Sequence, residues 1–209
     1  MDVRIAPESL TVSALAWCPE VVEMDGHCIA GGFIRAYFAG EKPSDMDIYF
    51  TGEDKFAAAR ELLKENEWTE VSATDRAATM IKDKKAVQLI NFLYGVGEEV
   101  IAEFDFTICA AAMTLQQTDD GVKGLLSMHN NFFEHLAGRV LIYTGSRMPL
   151  SSLNRAIKYI KRGYHICDEN LIAIAEDIAR TVDFDDEESV QEHIAGMDPN
   201  GDRRIRVID

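Results

Sequence analysis

The stretch that decides the fold runs from Ile29 to Phe50 and reads IAGGFIRAYFAGEKPSDMDIYF. It begins with the end of an apolar segment, which two adjacent glycines, Gly31 and Gly32, separate from a run of helical character. A glycine pair between a strand and a helix lets another group approach the backbone closely, and the first turn of the helix presents free N–H groups there. The sequence therefore predicts a strand over 27–30, a helix over 33–39 and, between them, a turn that suits a phosphate.

The end of the same stretch carries two carboxylates. After a polar turn over 40–44, Asp45 and Asp47 flank Met46 at the start of an apolar strand predicted over 46–50. Because side chains alternate along a strand, the two aspartates share one face, a few ångströms apart, while Met46 faces the core. Carboxylates at such a short distance repel each other unless a cation lies between them, and hard divalent ions such as Mg²⁺ prefer oxygen ligands.

An Asp-x-Asp triplet alone is weak information in a chain so rich in aspartate. A second one, Asp183 to Asp185, occurs in the acidic C-terminal part. The information lies in the combination of strand, glycine pair, helix with an arginine, polar turn and carboxylate pair.

This combination resembles the signature of the DNA polymerase β-like nucleotidyltransferases. The segments Gly31–Arg35 and Ser44–Ile48 are most similar to those of the head domains of tRNA nucleotidyltransferases (CCA-adding enzymes) and bacterial poly(A) polymerases. The resemblance extends over about residues 25–165, with its specific part in 29–50. It implies an enzyme that transfers NMP from an NTP to an acceptor hydroxyl and releases pyrophosphate.

The resemblance also implies three catalytic carboxylates that hold two Mg²⁺ ions, with Mn²⁺ as a possible substitute. Asp45 and Asp47 supply two of them. For the third we choose Asp105, because it precedes an apolar strand predicted over 106–114, where an unpaired carboxylate is costly to bury. The alternative places Gln88, from the strand predicted over 86–92, in the position of the third ligand, which makes Asp105 structural and weakens the metal site.

One further departure from the family concerns the choice of base. The segment around Asp105 resembles the Arg-Arg-Asp-Phe-Thr motif of CCA-adding enzymes, but Glu103 and Phe104 replace the two arginines. The resemblance therefore does not extend to base selection of the kind that those arginines support.

The chain is strongly acidic overall, and its charged residues are unevenly distributed along the sequence. The 209 residues include 21 Lys and Arg against 36 Asp and Glu, a formal net charge of -15, which argues against a surface that covers extended duplex DNA. Between Glu134 and Asp168, however, there are six basic residues and no acidic one. A helix is predicted over 153–164. Its core stripe, the apolar side chains predicted to face the core, consists of Leu153, Ile157, Ile160 and Tyr164.

This basic helix looks like the arginine-rich helix that follows the catalytic sheet in the same enzymes, where basic and aromatic side chains meet the nucleotide. The alternative is a solvated amphipathic helix whose cations pair with the acidic helices after Asp168. The nucleotide-binding residues that we predict are Gly31, Gly32, Arg35, Ser44, Arg155, Lys158, Tyr159 and Arg162.

The remaining patterns predict an α+β fold with a small mixed sheet flanked by helices, and the resemblance implies that this sheet is of the nucleotidyltransferase type. A catalytic domain is predicted over 1–145 and a helical subdomain over 146–209, with its last helix over 187–196, a turn over 198–202 and a basic tail at Arg203, Arg204 and Arg206. No leader or spanning apolar run occurs, so we expect a cytoplasmic protein without a membrane partner. The four cysteines lack metal-ligand spacing and are expected to be buried thiols.

Three hypotheses of function follow. The first is an active nucleotidyltransferase whose acceptor is an RNA 3′ end, with a protein side chain or a small hydroxylated molecule as alternatives. The second is a module of the same fold that binds a nucleotide or RNA without turnover. In the third, the acidic segment 168–202 binds a basic partner.

Overall fold

This computed structural model describes residues 1–195 of the chain, which form both strands and helices. The strands are β1 (Asp2–Ile5), β2 (His27–Ala30), β3 (Met46–Phe50), β4 (Thr69–Ala73), β5 (Ala77–Lys82), β6 (Lys85–Tyr94), β7 (Ala111–Thr118), β8 (Gly121–Met128), β9 (Val140–Leu141) and β10 (His165–Ile166). The α-helices are α1 (Glu8–Trp17), α2 (Gly32–Ala39), α3 (Glu53–Glu65), α4 (Gly97–Ala102), α5 (Phe132–Ala137), α6 (Pro149–Ile160), α7 (Asp168–Thr181) and α8 (Glu187–Ala195), and a short 3₁₀ helix covers Pro19–Glu23.

The chain divides into two units, Met1–Gly138 and Arg139–Asp209. The first contains one sheet of eight strands in the order β1-β8-β7-β2-β3-β6-β5-β4. Neighbouring strands in it are antiparallel except for β3 and β6, which are parallel. The predicted α+β class, a mixed sheet flanked by helices, is confirmed.

The two faces of the sheet are covered by different helices. On one face, the Phe56 ring of α3 packs edge to face on Phe50 of β3, with centroids 6.1 Å apart. On the opposite face, Val100 and Ile101 of α4 join a buried cluster with Cys28, Ala30, Tyr49, Ile90, Ala110 and Ala112. Because alternate residues of β3 point to opposite faces, Asp47 shares the face of Tyr49 and α4.

The second unit contains α6, α7 and α8 together with the parallel pair of β9 and β10. Its first residue, Arg139, precedes the boundary that we predict between 145 and 146. The predictions for 196–209, including the end of the last helix, the turn and the basic tail, lie outside the described residues. Within residues 1–195, no helix is both long enough and apolar enough to cross a membrane.

Three features of the structure differ from the sequence-based expectations. Five strands, β1, β4, β8, β9 and β10, were not predicted. The strand expected over 106–114 begins only at Ala111, because the preceding residues form turns in which Cys109 N donates to the Phe106 carbonyl (2.9 Å) and Ala110 N to that of Thr107 (3.2 Å). Three cysteines are buried, but Cys167 is exposed at the start of α7, so the expectation of a buried thiol is wrong there.

Burial of His27 makes the stability of the fold depend on pH. This side chain, in the first position of β2, is 7% exposed, and its Nδ1 lies 2.7 Å from the Met24 carbonyl oxygen. Burial lowers the pKa of His27 below its ordinary value of 6.5 because it removes hydration from the charged form. As the pH falls, the unfolded chain binds the proton first, so this stabilisation is complete above pH 6.5 and is lost below it.

We therefore expect the free energy of unfolding to fall more steeply for the wild type than for His27→Gln as the pH drops from neutral toward about 5. The difference in slope approaches about 1.4 kcal/mol per pH unit. Urea denaturation at a series of pH values measures it, and His165→Gln, at an exposed histidine, is the matched control. Equal slopes for the wild type and His27→Gln would contradict the expectation.

Candidate active site

The glycine turn before α2 has a conformation that only glycine adopts without strain. Gly31 has φ of 80° and caps the helix without a side chain. Its N–H donates to the Ala111 carbonyl of β7 (2.9 Å), and its carbonyl accepts from the Arg35 N–H (3.1 Å). A Cβ at Gly31 would lie 3.1 Å from Cε2 of Phe104, so the ring and the backbone require a glycine here.

The next residue, Gly32, differs in its surroundings. It is the first residue of α2, and a Cβ there would meet no described atom within 4 Å other than its chain neighbours and the backbone of α2 itself. The side of Gly32 on which a side chain would lie therefore faces open space. The helix α2 ends before Gly40, whose φ of 68° is typical of a left-handed residue that caps the C-terminus of a helix.

The carboxylate pair lies beside this turn. Asp47 of β3 is half-buried, and its Oδ2 lies 4.0 Å from the point that a Gly31 Cβ would occupy. Asp45, also half-buried, comes directly before β3, and its Oδ1 accepts a hydrogen bond from the exposed Ser44 Oγ (2.7 Å). The structure therefore brings Asp47 next to the glycine turn and positions Asp45 by way of Ser44.

A row of paired residues crosses the sheet at Asp47. The register joins Asp47 to Ala30 of β2 on one side and to Gln88 of β6 on the other. Paired side chains lie on the same face of a sheet. From β7 to β5, the row consists of Ala112, Ala30, Asp47, Gln88 and Thr79. Gln88, 8% exposed, is thus the side chain beside Asp47 on the neighbouring strand.

Asp105 does not occupy the position that the sequence predicts. It lies in the loop between α4 and β7, several residues before the strand begins, and is 7% exposed. Among residues 1–195, no three or more His, Cys, Asp and Glu side chains are arranged to hold a metal ion. The role of Asp105 as the third metal ligand beside Asp45 and Asp47 stays a prediction.

The neighbour of Asp105 has a contact that the sequence did not indicate. Phe104 is partly buried, with its ring against Gly31 and 5.7 Å from the ring of Tyr49, centroid to centroid. The sequence did carry one signal for this contact, because Phe104 is an aromatic residue at a position where the related motif has an arginine.

Arg35, a predicted nucleotide ligand, is largely buried in the first unit. The residue is 3% exposed, and its Nη1 donates to Glu41 Oε2 at 2.9 Å. The backbone of Glu41 is itself tied to α2, since its N–H donates to the Ala36 carbonyl (2.8 Å). This ion pair stabilises the turn after α2. A contact between Arg35 and a nucleotide stays a prediction.

The other predicted nucleotide ligands, Arg155, Lys158, Tyr159 and Arg162, belong to the second unit. Tyr159 is buried against Tyr164, with ring centroids 5.5 Å apart, and the guanidinium carbon of Arg162 lies 5.9 Å from the Tyr159 ring centroid. Lys158 is exposed and Arg155 half-buried. The nucleotide contacts of all four stay predictions.

The predicted core stripe of this helix is wrong in part. Ile157 and Ile160 are each 44% exposed, whereas Ala156 and Tyr159 are buried. The buried side of α6 is thus displaced by one residue from the apolar stripe that the sequence indicates.

Comparisons with known proteins give a family and a fold. Residues 9–139 match the model of a family described as Gabija anti-defense 2 family protein. A curated relative, Gabija anti-defense 2 from Bacillus phage SPbetaL7, is 28% identical over 157 residues, which are 74% of this chain and 38% of that protein. The chain therefore spans well under half the length of this relative.

Solved structures of CCA-adding enzymes are similar in fold. The Thermotoga maritima CCA-adding enzyme complexed with tRNA has a TM-score of 0.62 and 17% identity, over 94% of this chain and 51% of the enzyme. A CCA-adding enzyme in complex with ATP has a TM-score of 0.67 and 18% identity, over 93% and 51%. At such low identity, this likeness concerns the fold alone, and it agrees with a nucleotidyltransferase-like head.

Proposed function

The chain belongs to the Gabija anti-defense 2 family, and on that premise we propose that it counteracts a bacterial defence as a metal-dependent nucleotidyltransferase. It transfers NMP from an NTP to an acceptor hydroxyl. The observation that carries the proposal is the position of Asp47, whose carboxylate lies beside the glycine turn at the start of α2. Asp45 lies two residues earlier in the chain, directly before β3.

The donor set suits Mg²⁺. Two half-buried carboxylates two residues apart in the chain are hard oxygen ligands, and Mg²⁺ in nucleotide enzymes is usually held by one or two carboxylates together with substrate phosphates. Asp45 and Asp47 would hold the ion. When bound, it would neutralise charge on the triphosphate and promote ionisation of the acceptor hydroxyl.

The other residues of the site bind and orient the nucleotide. The open space at Gly32 admits a phosphate group to the N–H groups of the first turn of α2, where the helix dipole favours an anion. Ser44 orients the Asp45 carboxylate through its hydrogen bond. In the reaction the acceptor oxygen bonds to the α-phosphorus, the bond from that phosphorus to the bridging oxygen breaks, pyrophosphate leaves and the hydroxyl proton passes to water.

For the acceptor, an RNA 3′ end is favoured because a protein of similar fold was solved in complex with tRNA. A protein side chain and a small hydroxylated molecule are the other acceptors to be tested. Labelling by an NTP that carries the label on the α-phosphate, followed by separation of RNA, protein and small molecules, distinguishes the three.

A second candidate function is nucleotide binding without transfer. It is favoured by the neutral Gln88 beside Asp47, where a third carboxylate would complete the metal site. Under this candidate, a non-hydrolysable NTP analogue binds in a Mg²⁺-dependent manner, but no acceptor becomes labelled.

The proposed role in a cell is tested by phage plating on bacteria that carry the Gabija defence. We expect the wild-type chain to restore plating and the double variant Asp45→Ala/Asp47→Ala to fail. The matched control, Asp183→Ala/Asp185→Ala, removes the same motif from an exposed segment of the second unit and should restore plating. Full restoration by a folded, equally abundant Asp45→Ala/Asp47→Ala variant would contradict the proposal.

A further inference from the structure

Strand β1 forms one edge of the eight-stranded sheet. Within residues 1–195, its one strand partner is the antiparallel strand β8. The hydrogen bond from Ala6 N to the Gly124 carbonyl (2.9 Å) continues the β1–β8 register by one residue. Because the backbone groups of successive residues point alternately to the two sides of a strand, the N–H and C=O groups of Val3 and Ile5 point away from β8.

The side chains of β1 alternate between apolar and charged residues. Val3 and Ile5, together with Met1 directly before the strand, are 56%, 74% and 55% exposed and lie on one face. Asp2 and Arg4 lie on the opposite face, where they form an ion pair with each other. Such an edge, exposed and apolar on one side, readily pairs with a strand of another chain.

The edge strand at the other end of the sheet, β4, is protected against such pairing. Its register with β5 shifts between Glu70 and Ser72, which marks a bulge. The Glu70 carboxylate accepts two hydrogen bonds from the Arg60 guanidinium (2.5 and 2.6 Å), so a charge is held at this edge. Bulges and edge charges prevent the addition of a further strand. The pairing of β1 with β8, in contrast, is regular over all four residues.

The charges of β1 select one register for the pairing of two copies of this strand. When a two-fold axis passes through Val3 of an antiparallel pair, Asp2 lies opposite Arg4 of the second copy. On the other face, Met1 lies opposite Ile5 of the second copy. A register centred on Arg4 or on Asp2 would place like charges opposite each other. The outward backbone groups of Val3 also form the central hydrogen-bonded pair of the selected register.

We propose that β1 joins two copies of this chain into a dimer by antiparallel pairing centred on Val3, so that the two sheets become one. The apolar face of the contact is widened by Leu125 of β8, which is 37% exposed and in register with Ile5. A contact of about five residues per copy is small beside the roughly 1,600 Å² of a standard interface, so the dimer dissociates on dilution, with a Kd of about 1–100 μM.

Sedimentation velocity of the full chain between about 1 and 300 μM measures this equilibrium. The mass of the wild type should rise with concentration from that of one chain to that of two. Val3→Lys places two like charges at the axis and should raise the Kd at least about tenfold. The matched control is Val71→Lys on β4, since Val71 is 52% exposed at the opposite edge, and it should dimerise like the wild type.

Exchange of the charges tests the register itself. Asp2→Arg makes the charged face of β1 positive and Arg4→Asp makes it negative, so each variant alone should dimerise at least about tenfold more weakly than the wild type. An equimolar mixture of the two variants should form heterodimers with an affinity similar to that of the wild type, and the double variant Asp2→Arg/Arg4→Asp should dimerise by itself. Damage to the fold of either single variant would give no such rescue.

The proposal is overturned if the wild type keeps the mass of one chain over the whole range of concentration. It is also overturned if Val71→Lys weakens the dimer as much as Val3→Lys, or if the mixture of Asp2→Arg and Arg4→Asp associates no better than either variant alone. None of these measurements involves NMP transfer, so their outcome is independent of the proposed function.

Discussion

The substitution Asp47→Asn is expected to reduce the rate of NMP transfer by a factor of about 100 to 1,000. Asparagine has nearly the same shape as aspartate, so the half-buried position on β3 and the packing beside Gly31 are retained. The change removes the negative charge that would hold the cation and the triphosphate together. The rate of label transfer from an NTP labelled at the α-phosphate measures the effect.

The same substitution should leave the fold unharmed. Removal of one charge from the Asp45 and Asp47 pair relieves their repulsion, so the free energy of unfolding without divalent cations should be unchanged or higher by about 0.5 kcal/mol. Asp119→Asn, in the exposed turn between β7 and β8, is the matched control and should keep both activity and stability. Transfer by Asp47→Asn at the wild-type rate would remove Asp47 from the mechanism.

The second large effect distinguishes two adjacent glycines. Gly31→Ala should lower the free energy of unfolding by about 1–3 kcal/mol, because alanine is strained at φ of 80° and its methyl group would meet the Phe104 ring at 3.1 Å. Gly32→Ala should leave stability unchanged or raise it by about 0.5–1 kcal/mol, since the site is helical and open. Urea denaturation measures both.

The affinity for a nucleotide, unlike the stability of the fold, should fall when Gly32 is replaced by alanine. Its added methyl group enters the open space at the first turn of α2, so affinity for an NTP analogue should fall about tenfold in a protein that is fully folded. Calorimetric titration gives this value. Wild-type affinity in Gly32→Ala would contradict the placement of the triphosphate at this turn, and wild-type stability in Gly31→Ala would contradict the described conformation.

The stretch from Ile29 to Phe50 was predictable because its determinants are local. The strand, the glycine pair and the helix each have a short-range cause, and β2 and β3 were predicted at their observed bounds. The structure of the apolar run that starts at Phe104 was not predictable, because a buried run of this length has the same sequence pattern whether it forms a strand or packed turns. Burial there is decided by α4 and the sheet, which the local sequence does not specify.

The relation of Asp47 to Gln88 is non-local in the same sense. The two residues lie on strands separated along the chain by α3, β4 and β5, and only the parallel pairing of β3 with β6 sets them side by side. The sequence indicated Gln88 as an alternative to Asp105, whereas the register makes it the neighbour of Asp47. On α6, Tyr159 is buried in place of Ile157 and Ile160, and its ring packs on Tyr164 beyond the end of the helix; a large aromatic ring buries more surface than isoleucine.

The central claim is the transfer of NMP at the Asp45 and Asp47 pair. Its most direct test is to incubate the wild-type chain with Mg²⁺, an NTP labelled at the α-phosphate and an extract of bacteria that carry the defence, and to measure pyrophosphate and labelled acceptor in the same reaction. The extract is heat-treated first, so that its own polymerases, phosphatases and pyrophosphatase no longer act. The account then predicts equal amounts of the two products, both lost in Asp45→Ala/Asp47→Ala. Release of inorganic phosphate without labelled acceptor, or labelling that persists in the double variant, would contradict it.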